Sequence, residues 1–159
     1  MNDPVQIREA LESARTIAVV GCSPNPARAS HAISRYLMEA GYRVVPVNPG
    51  HRTLLGQPCY PSLAEIPPEV EVDIVDVFRR SEEVGKVARQ AIERGVGFFF
   101  MQQGVVDSDS ARRLESAGIP VAMDRCILVE RERLGLPHRN SKPGGDVPLL
   151  SGNSRPVEE

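Results

Sequence analysis

The segment TIAVVGCSPNPAR, residues 16–28, decides the fold. It opens with a short and continuous apolar run, 16–20, which is typical of a strand buried on both faces of a parallel sheet. Gly21 ends this run, and the polar loop 22–28 leads into a helix that begins near Ser30. A strand, a tight loop and a helix in this order form the repeating unit of α/β proteins.

The same unit recurs along the chain. Further strands are predicted at residues 42–47, 96–101 and 120–123, and a short strand is predicted near 59–60. Residues 72–78, which alternate polar with apolar and end in an apolar pair, are also predicted as a strand. Helices are predicted to begin at Asp3, Ser30, Ser81 and Ser108, with one helical turn at 62–65. This alternation predicts an α/β fold, a doubly wound parallel sheet of five or six strands in three αβα layers.

Three glycines mark the ends of predicted helices. Gly41, Gly95 and Gly118 each stand between a helical pattern and the apolar run that follows it. Glycine at this position adopts the left-handed conformation that turns a helix back towards the sheet. We therefore expect a positive φ angle at all three positions.

The last part of the chain differs from the rest in composition. Residues 137–159 hold four prolines and three glycines but only four hydrophobic residues. Such a segment buries too little apolar surface to offset the entropy that is lost on ordering. We predict one domain over residues 1–136 and a mobile tail over residues 137–159.

Composition and charge exclude several classes of protein. The chain has 159 residues, 41% of them hydrophobic, which suits one globular domain. A formal net charge of −2 and an aromatic content of 4% argue against binding to nucleic acid or to a membrane surface. The N-terminus lacks the apolar core of a signal peptide, and no apolar run approaches the length of a membrane span.

The cysteines indicate a reducing compartment. Cys22, Cys59 and Cys126 are an odd and widely spaced set, with no Cys/His cluster at metal-ligand spacing. This pattern argues against both a disulfide framework and a metal site. We expect a cytoplasmic protein without a metal.

The loop after the first strand is the first candidate for a ligand site. In an open parallel sheet, ligands bind at the carboxyl ends of the strands. Gly21 lets a ligand approach the backbone, Ser23 supplies a hydroxyl, and the N-terminus of the next helix attracts anions. Arg28 and His31 follow as further anion contacts. The alternative is that Gly21 only makes a tight turn.

This loop departs from the dinucleotide-binding fingerprint. Ser23 and Pro26 stand where the second and third glycines of GxGxxG belong. The carboxylate that binds the ribose of NAD is missing from residues 47–50, and the chain has no Walker lysine motif. These details argue against NAD and against hydrolysis of nucleoside triphosphates.

Six segments carry a resemblance to a known family. They are residues 18–26 (AVVGCSPNP), 42–49 (YRVVPVNP), 56–63 (GQPCYPSL), 73–80 (DIVDVFRR), 101–106 (MQQGVV) and 123–126 (MDRC). In this order they resemble the small stand-alone CoA-binding domain proteins, which are similar to the CoA-binding domain of the succinyl-CoA synthetase alpha subunit. The resemblance covers residues 3–136 and implies a Rossmann-like fold with coenzyme A lying across the strand ends.

The resemblance also implies which residues contact coenzyme A. Gly21, Cys22, Ser23 and Pro24 match the loop that holds the pyrophosphate region. Asn48 and Pro49, after Val47, match the segment at the adenosine end. Val77, Phe78 and Arg79 match the part that lines the nucleotide and pantetheine path, and Gln102, Gln103 and Gly104 match a loop near the pantetheine. The closing segment of the pocket corresponds to Met123, Asp124, Arg125 and Cys126.

Individual side chains refine this picture. Arg28, Arg52, Arg79 and Arg80 are the best anion-binding candidates, Arg79 first because it directly follows an apolar strand. The Cys22 thiol is either stabilised as a thiolate by the helix N-terminus or packed as a small side chain.

Three acidic residues lie in or directly after predicted strands. Asp73 and Asp76 lie three residues apart in a strand and so on opposite faces, which argues against joint acid–base catalysis. Asp124 and Arg125 are predicted to form an ion pair that shapes the wall of the pocket.

Three functions are compatible with these patterns. The first is binding of coenzyme A or an acyl-CoA without catalytic activity, which the absence of a catalytic triad, a metal site or a Walker motif favours. The second is an NAD(P)-binding Rossmann oxidoreductase or sensor. The third is a subunit of an acyl-CoA-transforming enzyme, completed by a partner chain. The phosphorylated histidine domain of the synthetase has no counterpart in this sequence, so ligase activity is not expected, and the oligomeric state is left open.

Overall fold

A computed structural model describes residues 1–139 of the protein. Five parallel strands form the central sheet of this part: β1 (Thr16–Val20), β2 (Arg43–Val47), β5 (Ile74–Val77), β6 (Phe98–Met101) and β7 (Val121–Met123). A small antiparallel hairpin consists of β3 (Thr53–Leu54) and β4 (Gln57–Pro58). The order across the sheet is β2-β1-β5-β6-β7, which confirms the predicted doubly wound α/β fold with five strands.

Helices cover both faces of this sheet. The α-helices of residues 1–139 are α1 (Pro4–Ser13), α2 (Ala29–Glu39), α3 (Val84–Arg94), α4 (Ser108–Ser116) and α5 (Ile127–Arg133). Short 3₁₀ turns lie at Leu63–Glu65 and Ser81–Glu83. Helices α3 and α4 pack on one face, and α1, α2 and α5 pack on the other, which gives three layers.

Alternation within the strands explains why both layers form. All five residues of β1 are buried. Ala18 and Val20 face the layer of α3 and α4, whereas Ile17 and Val19 face the opposite layer. A strand that is apolar on both faces is stable only between two layers of helices.

Most predicted elements are present, with shorter ends. The strand predicted at 72–78 spans 74–77, and the one predicted at 96–101 spans 98–101. Gly41, Gly95 and Gly118 have φ angles of 106°, 74° and 85°, as expected for residues that end helices. The short strand predicted near 59–60 is reduced to one bridge between Val47 and Tyr60.

Two local predictions are wrong. Ser81 does not cap α3, because its hydroxyl oxygen instead accepts a hydrogen bond of 2.9 Å from the backbone N–H of Val106 and a 3₁₀ turn precedes the helix. Helix α5 was not predicted at all. Its buried side consists of Ile127, Glu130 and Arg131, so that the segment lacks an apolar stripe.

The predicted boundary at residue 136 lies within the described residues, whereas the predicted tail of residues 137–159 falls largely outside them. Within the described part, the backbone N–H of Arg139 donates to the Ala40 carbonyl at 2.7 Å, and its guanidinium lies 4.2 Å from the centre of the Tyr42 ring. Residues up to Arg139 thus contact the domain, and the tail stays a prediction. None of the helices within residues 1–139 is long and apolar enough to cross a membrane.

Candidate functional site

The strand order reverses between β1 and β5. The chain leaves β1 for β2 on one side of the sheet and returns to β5 on the other side, so the loops after these two strands diverge. Such a reversal opens a crevice at the carboxyl ends of the strands, where ligands of doubly wound proteins bind. Loop 21–28 and residues 78–83 therefore border the same crevice.

Two grooves lie along this edge. The α3 groove, about 570 Å³, has an apolar floor and a charged rim; its lining includes Val20, Val47, Leu63, Arg79, Lys86 and Arg89. The α2 groove, about 490 Å³, lies beside the start of α2; its lining includes Ile33, Phe78, Arg79, Gln102, Gln103 and Cys126. Both volumes are typical of small-molecule sites.

Arg79 lines both grooves, so its side chain stands where they meet. Its Nη1 lies 3.7 Å from Oε1 of Glu83, and the side chain is about one-third exposed, at 33%. Arg80 next to it makes a closer ion pair with Glu83, with 2.8 Å between Nη2 and Oε2. Glu83 thus contacts both guanidiniums, and its contact with Arg79 is the longer of the two.

Gly21 is required by the backbone of the neighbouring strand. Its φ angle is +91°, and a Cβ atom at this position would lie 2.9 Å from the carbonyl oxygen of Phe78. That separation is too short for a side chain. The tight-turn interpretation therefore explains the glycine without a ligand, while close approach of a ligand to this backbone stays a prediction.

Hydrogen bonds within the chain close the loop after β1. The Ser23 hydroxyl oxygen accepts from the N–H of Asn25 at 3.0 Å, and the Ser30 hydroxyl oxygen accepts from the N–H of Ser23 at 2.9 Å. His31, which is buried, donates from Nδ1 to the Ser23 carbonyl at 3.0 Å. His31 therefore supports the loop, whereas Pro24 and Arg28 are exposed at its rim.

Cys22 and Asn48 tie two loops together. The Asn48 side-chain amide donates to the Cys22 carbonyl at 2.8 Å, and its oxygen accepts from the N–H of Gly50 at 2.8 Å. The Cys22 thiol is fully buried, 3.6 Å from the Ser34 hydroxyl, and burial raises the pKa of this thiol. These observations favour Cys22 as a packed side chain over Cys22 as a reactive thiolate. Pro49 next to Asn48 is exposed.

The residues after β5 and β6 have separate roles. Val77 is fully buried in the core, whereas Phe78 is half-buried and lines the α2 groove. Gln102 is 5% exposed, and its Oε1 accepts a hydrogen bond of 2.9 Å from the N–H of Ile127 at the start of α5. Gln103 beside it is exposed.

The closing segment after β7 differs from the prediction. The predicted ion pair between Asp124 and Arg125 is absent, because the Asp124 carboxylate accepts from the N–H of Gly104 at 2.7 Å. The Arg125 guanidinium lies 3.9 Å from the Glu130 carboxylate instead. Met123 is held through its backbone by the Asn2 side chain, and neither Met123 nor Arg125 lines a groove.

Asp76 is an unusual carboxyl group in the central strand β5. It is fully buried, and neither carboxyl oxygen has a hydrogen-bond partner among residues 1–139. Burial raises its pKa well above the usual range. Asp73, by contrast, accepts from the N–H groups of Arg15 and Thr16 at 2.9 Å each. Within the described part of the chain, no group of three His, Cys, Asp or Glu side chains could hold a metal ion.

A family model described as a CoA binding domain matches residues 15–132. The chain belongs to this CoA-binding domain family. The resemblance stated from the sequence motifs is thereby confirmed, because the match covers most of the chain and includes all five strands of the sheet.

The chain is similar to proteins that it covers almost completely and to part of one larger enzyme. The domain is 42% identical over 124 residues to Uncharacterized protein YneT of Bacillus subtilis, covering 78% of this chain and 90% of that protein. It is similar to a solved structure, a hypothetical protein from Pyrococcus horikoshii OT3, with a TM-score of 0.79, 34% identity and coverage of 84% of this chain and 93% of that one. It is also 29% identical over 127 residues to Acetate--CoA ligase [ADP-forming] I of Archaeoglobus fulgidus. This match covers 75% of this chain but only 18% of the ligase.

The CoA-binding domain contains site residues that sequence reasoning missed. The predicted residues that line the grooves are Val47, Phe78, Arg79, Arg80, Gln102, Gln103 and Cys126. Gly21, Ser23 and Asn48 shape the edge from outside the groove linings. Gly85, Lys86 and Arg89 line the α3 groove, but the sequence patterns did not indicate them as candidate binding residues. Their position in the sequence could have indicated them, because the first turns of a helix that follows a central strand lie at the carboxyl edge of the sheet.

Proposed function

We propose that this CoA-binding domain binds coenzyme A or an acyl-CoA along the carboxyl edge of its sheet, in the cytoplasm and without chemistry of its own. The observation that carries the proposal is the position of Arg79 between two grooves at the strand-order reversal, in a chain of this family. Three free cysteines support a reducing compartment.

The chemistry of coenzyme A suits this arrangement. The molecule consists of a phosphorylated adenosine and a pantetheine arm, joined by a diphosphate. An arginine binds phosphate oxygens in a bidentate manner and stays charged at every relevant pH. With the diphosphate against Arg79, one end of the ligand occupies the α3 groove and the other end occupies the α2 groove.

A second function has one observation in its favour. The domain is homologous to part of an acetate–CoA ligase, in which it makes up about a fifth of the chain. A role as the CoA-holding subunit of an acyl-CoA-transforming enzyme, with catalysis supplied by a partner, is therefore the alternative. The two proposals share the ligand and differ in whether a second protein is needed.

Titration calorimetry with coenzyme A, NAD and NADP tests the shared part of both proposals. We expect coenzyme A to bind more tightly than either dinucleotide, because Ser23 and Pro26 replace two glycines of the dinucleotide fingerprint. For NAD, residues 47–50 also offer no ribose carboxylate. Tighter binding of NAD than of coenzyme A would overturn the assignment. Incubation with acetyl-CoA, followed by thiol titration, then separates binding from catalysis. A release of free thiol by the protein alone would contradict a purely binding role.

A further inference from the structure

The three free cysteines differ in what can reach them. Cys22 and Cys59 are buried, with 0% and 6% of their surface exposed. The Cys22 thiol lies 3.6 Å from the Ser34 hydroxyl, the Cys59 thiol donates to the Asn48 carbonyl at 3.6 Å, and burial raises the pKa of both thiols. Cys126 is partly exposed, lines the α2 groove and forms no side-chain hydrogen bond with the other described residues. It is therefore the cysteine that a ligand in this groove can reach.

A buried side-chain amide points into the same groove. Gln102 is only 5% exposed, and its Oε1 accepts a hydrogen bond of 2.9 Å from the N–H of Ile127. This bond fixes the orientation of the amide, so that Nε2 points away from that N–H. Nε2 has no hydrogen-bond partner within residues 1–139, yet it is not one of the polar atoms sealed in the core of this part. Because Gln102 lines the α2 groove, Nε2 is accessible there and lacks an acceptor there.

The chemistry of this lining fits a flexible arm that ends in sulfur. Ile33 and Phe78 add apolar surface to the groove, beside the donor of Gln102 and the thiol of Cys126. The pantetheine arm of coenzyme A is an aliphatic chain with amide carbonyls, which accept hydrogen bonds, and a terminal sulfur. In the proposed function this arm begins at the diphosphate beside Arg79, which also lines the α2 groove. The sulfur of the ligand and the Cys126 thiol then share one groove.

We propose that Cys126 is a modification site, which forms a mixed disulfide with coenzyme A by exchange with a disulfide form of the ligand. The Cys126 thiolate attacks the CoA sulfur of CoA–S–S–R, so that one S–S bond forms as another breaks. The electron pair of the broken bond leaves on the R–S⁻ thiolate, which takes up the proton that Cys126 released. The leaving sulfur is reduced to a thiol while the Cys126 sulfur is oxidised, and no other oxidant is needed. This inference rests on the proposed function and adds a redox-dependent covalent state to it.

Binding in the groove is what makes Cys126 the favoured target. A bound disulfide presents its sulfur to the thiol at a high effective concentration, whereas a free disulfide must meet the thiol by diffusion. Gln102 is a positioning residue for this step, because its Nε2 donates to a carbonyl of the arm and does not touch the reacting sulfurs.

Mass spectrometry of the intact protein after incubation with CoA disulfide, the oxidised form of coenzyme A, tests this site. We expect the mass of one CoA moiety to be added, dithiothreitol to remove it, and peptide mapping to place it on Cys126. Oxidised glutathione, a disulfide without a nucleotide, should react at least about tenfold more slowly, because it is not held in the groove. An excess of desulfo-coenzyme A, which lacks the sulfur, should slow the modification by competing for the groove.

Variants separate this site from general effects. Cys126→Ser should abolish the modification, whereas Cys59→Ala removes a buried thiol and should leave it in place. Gln102→Glu keeps an oxygen for the N–H of Ile127 but loses the donor, so it should lower the ratio of the rate with CoA disulfide to the rate with oxidised glutathione by about fivefold or more. This ratio cancels the effect of the new charge on the thiol itself. Gln6→Glu adds the same charge to the exposed side of α1, outside both grooves, and should leave the ratio unchanged.

The outcomes also distinguish the two levels of proposal. If calorimetry shows that the wild-type protein binds no coenzyme A, the proposed function itself fails. If coenzyme A binds but Cys126 is not modified, or if oxidised glutathione modifies it as fast as CoA disulfide does, only the modification site is overturned. Modification of Cys22 or Cys59 in place of Cys126 would overturn it in the same way, and an unchanged ratio in Gln102→Glu would overturn the positioning role of Gln102. Circular dichroism of each variant establishes that it is folded.

Discussion

The two central strands lead into segments of opposite character. In the β1–α2 unit, residues 16–39, the side chains of Ser23, Asn25 and His31 follow the strand and form hydrogen bonds with the backbone of the same loop. In the β5–α3 unit, residues 74–94, Asp76 has no hydrogen-bond partner within residues 1–139, and Lys86 and Arg89 form no ion pair there.

The two segments at this edge of the sheet therefore differ in how their polar side chains are used. The loop with the most recognisable motif uses its side chains to hold its own shape, so it offers a ligand mainly a rigid backbone. The helix that carries no motif presents the free charges. Rigid elements with satisfied hydrogen bonds position a site well.

The largest effect is expected at Gly21. Gly21→Ala places a Cβ atom 2.9 Å from the Phe78 carbonyl oxygen at a positive φ, and should lower the free energy of unfolding by about 2–4 kcal/mol. Gly118→Ala is the matched control, since its φ is +85° but nothing lies within 4 Å. This control substitution should lower the free energy of unfolding by only about 1–2 kcal/mol. Urea unfolding followed by circular dichroism measures both, and equal losses would contradict the clash.

Arg79 should give the next largest effect, on binding rather than on folding. Arg79→Ala should weaken coenzyme A binding by about 2–3 kcal/mol, because the lost hydrogen bonds to the diphosphate are charge-assisted. Arg80→Ala should weaken binding much less, since Arg80 is exposed and already paired with Glu83. Calorimetry at two salt concentrations measures the affinity of each variant for coenzyme A and tests whether Arg79 binds the diphosphate. If Arg79→Ala retains the affinity and the salt response of the wild type, the diphosphate does not lie there.

A smaller effect with a distinct pH dependence is expected at Asp76. Because burial raises the pKa of this carboxyl above its usual 3.8, the folded protein holds the proton more tightly than the unfolded chain does. Its contribution to stability is fully present below about pH 3.8 and is lost as the pH rises towards the raised value. Asp76→Asn cannot ionise, so its stability relative to the wild type should increase with pH. Urea midpoints at pH 5 and pH 8 measure this, and a constant difference would show that Asp76 does not titrate in this way.

Ser23 should give the smallest effect. Ser23→Ala removes the hydroxyl that accepts from the N–H of Asn25, and should reduce affinity for coenzyme A by about 0.5–1.5 kcal/mol through a looser loop. Ser13→Ala is the control, because the Ser13 hydroxyl donates to the Glu9 carbonyl on α1 and lies outside both grooves. It should leave affinity unchanged. A loss of about fiftyfold or more on removing the Ser23 hydroxyl would place this side chain in direct contact with the ligand.

The sequence by itself determined the architecture of the domain. Short continuous apolar runs bounded by turn residues are typical of strands buried on both faces, and the glycines after helices indicate where the chain turns back. Of the apolar positions whose spacing predicts the inner face of α3, Val84, Val87, Ala88 and Ala91 are buried, and Ile92 is partly buried against the same core. These signals are local, so they can be read without knowing which strands are neighbours. The ordered motifs were enough to identify the family.

Only the tertiary structure decided how the polar residues are used. Asn48 finds its partner 26 residues away at Cys22, and Gln102 finds its partner 25 residues away at Ile127. Helix α5 buries Arg131 because the Tyr42 hydroxyl and the Pro137 carbonyl satisfy its guanidinium, a possibility that no hydrophobic pattern contains. Lys86 and Arg89 likewise come to face a groove because β5 lies beside β1 in the sheet. Hydrogen bonds and charges act between chain segments that the fold brings together, so their partners are set by strand order and not by sequence spacing.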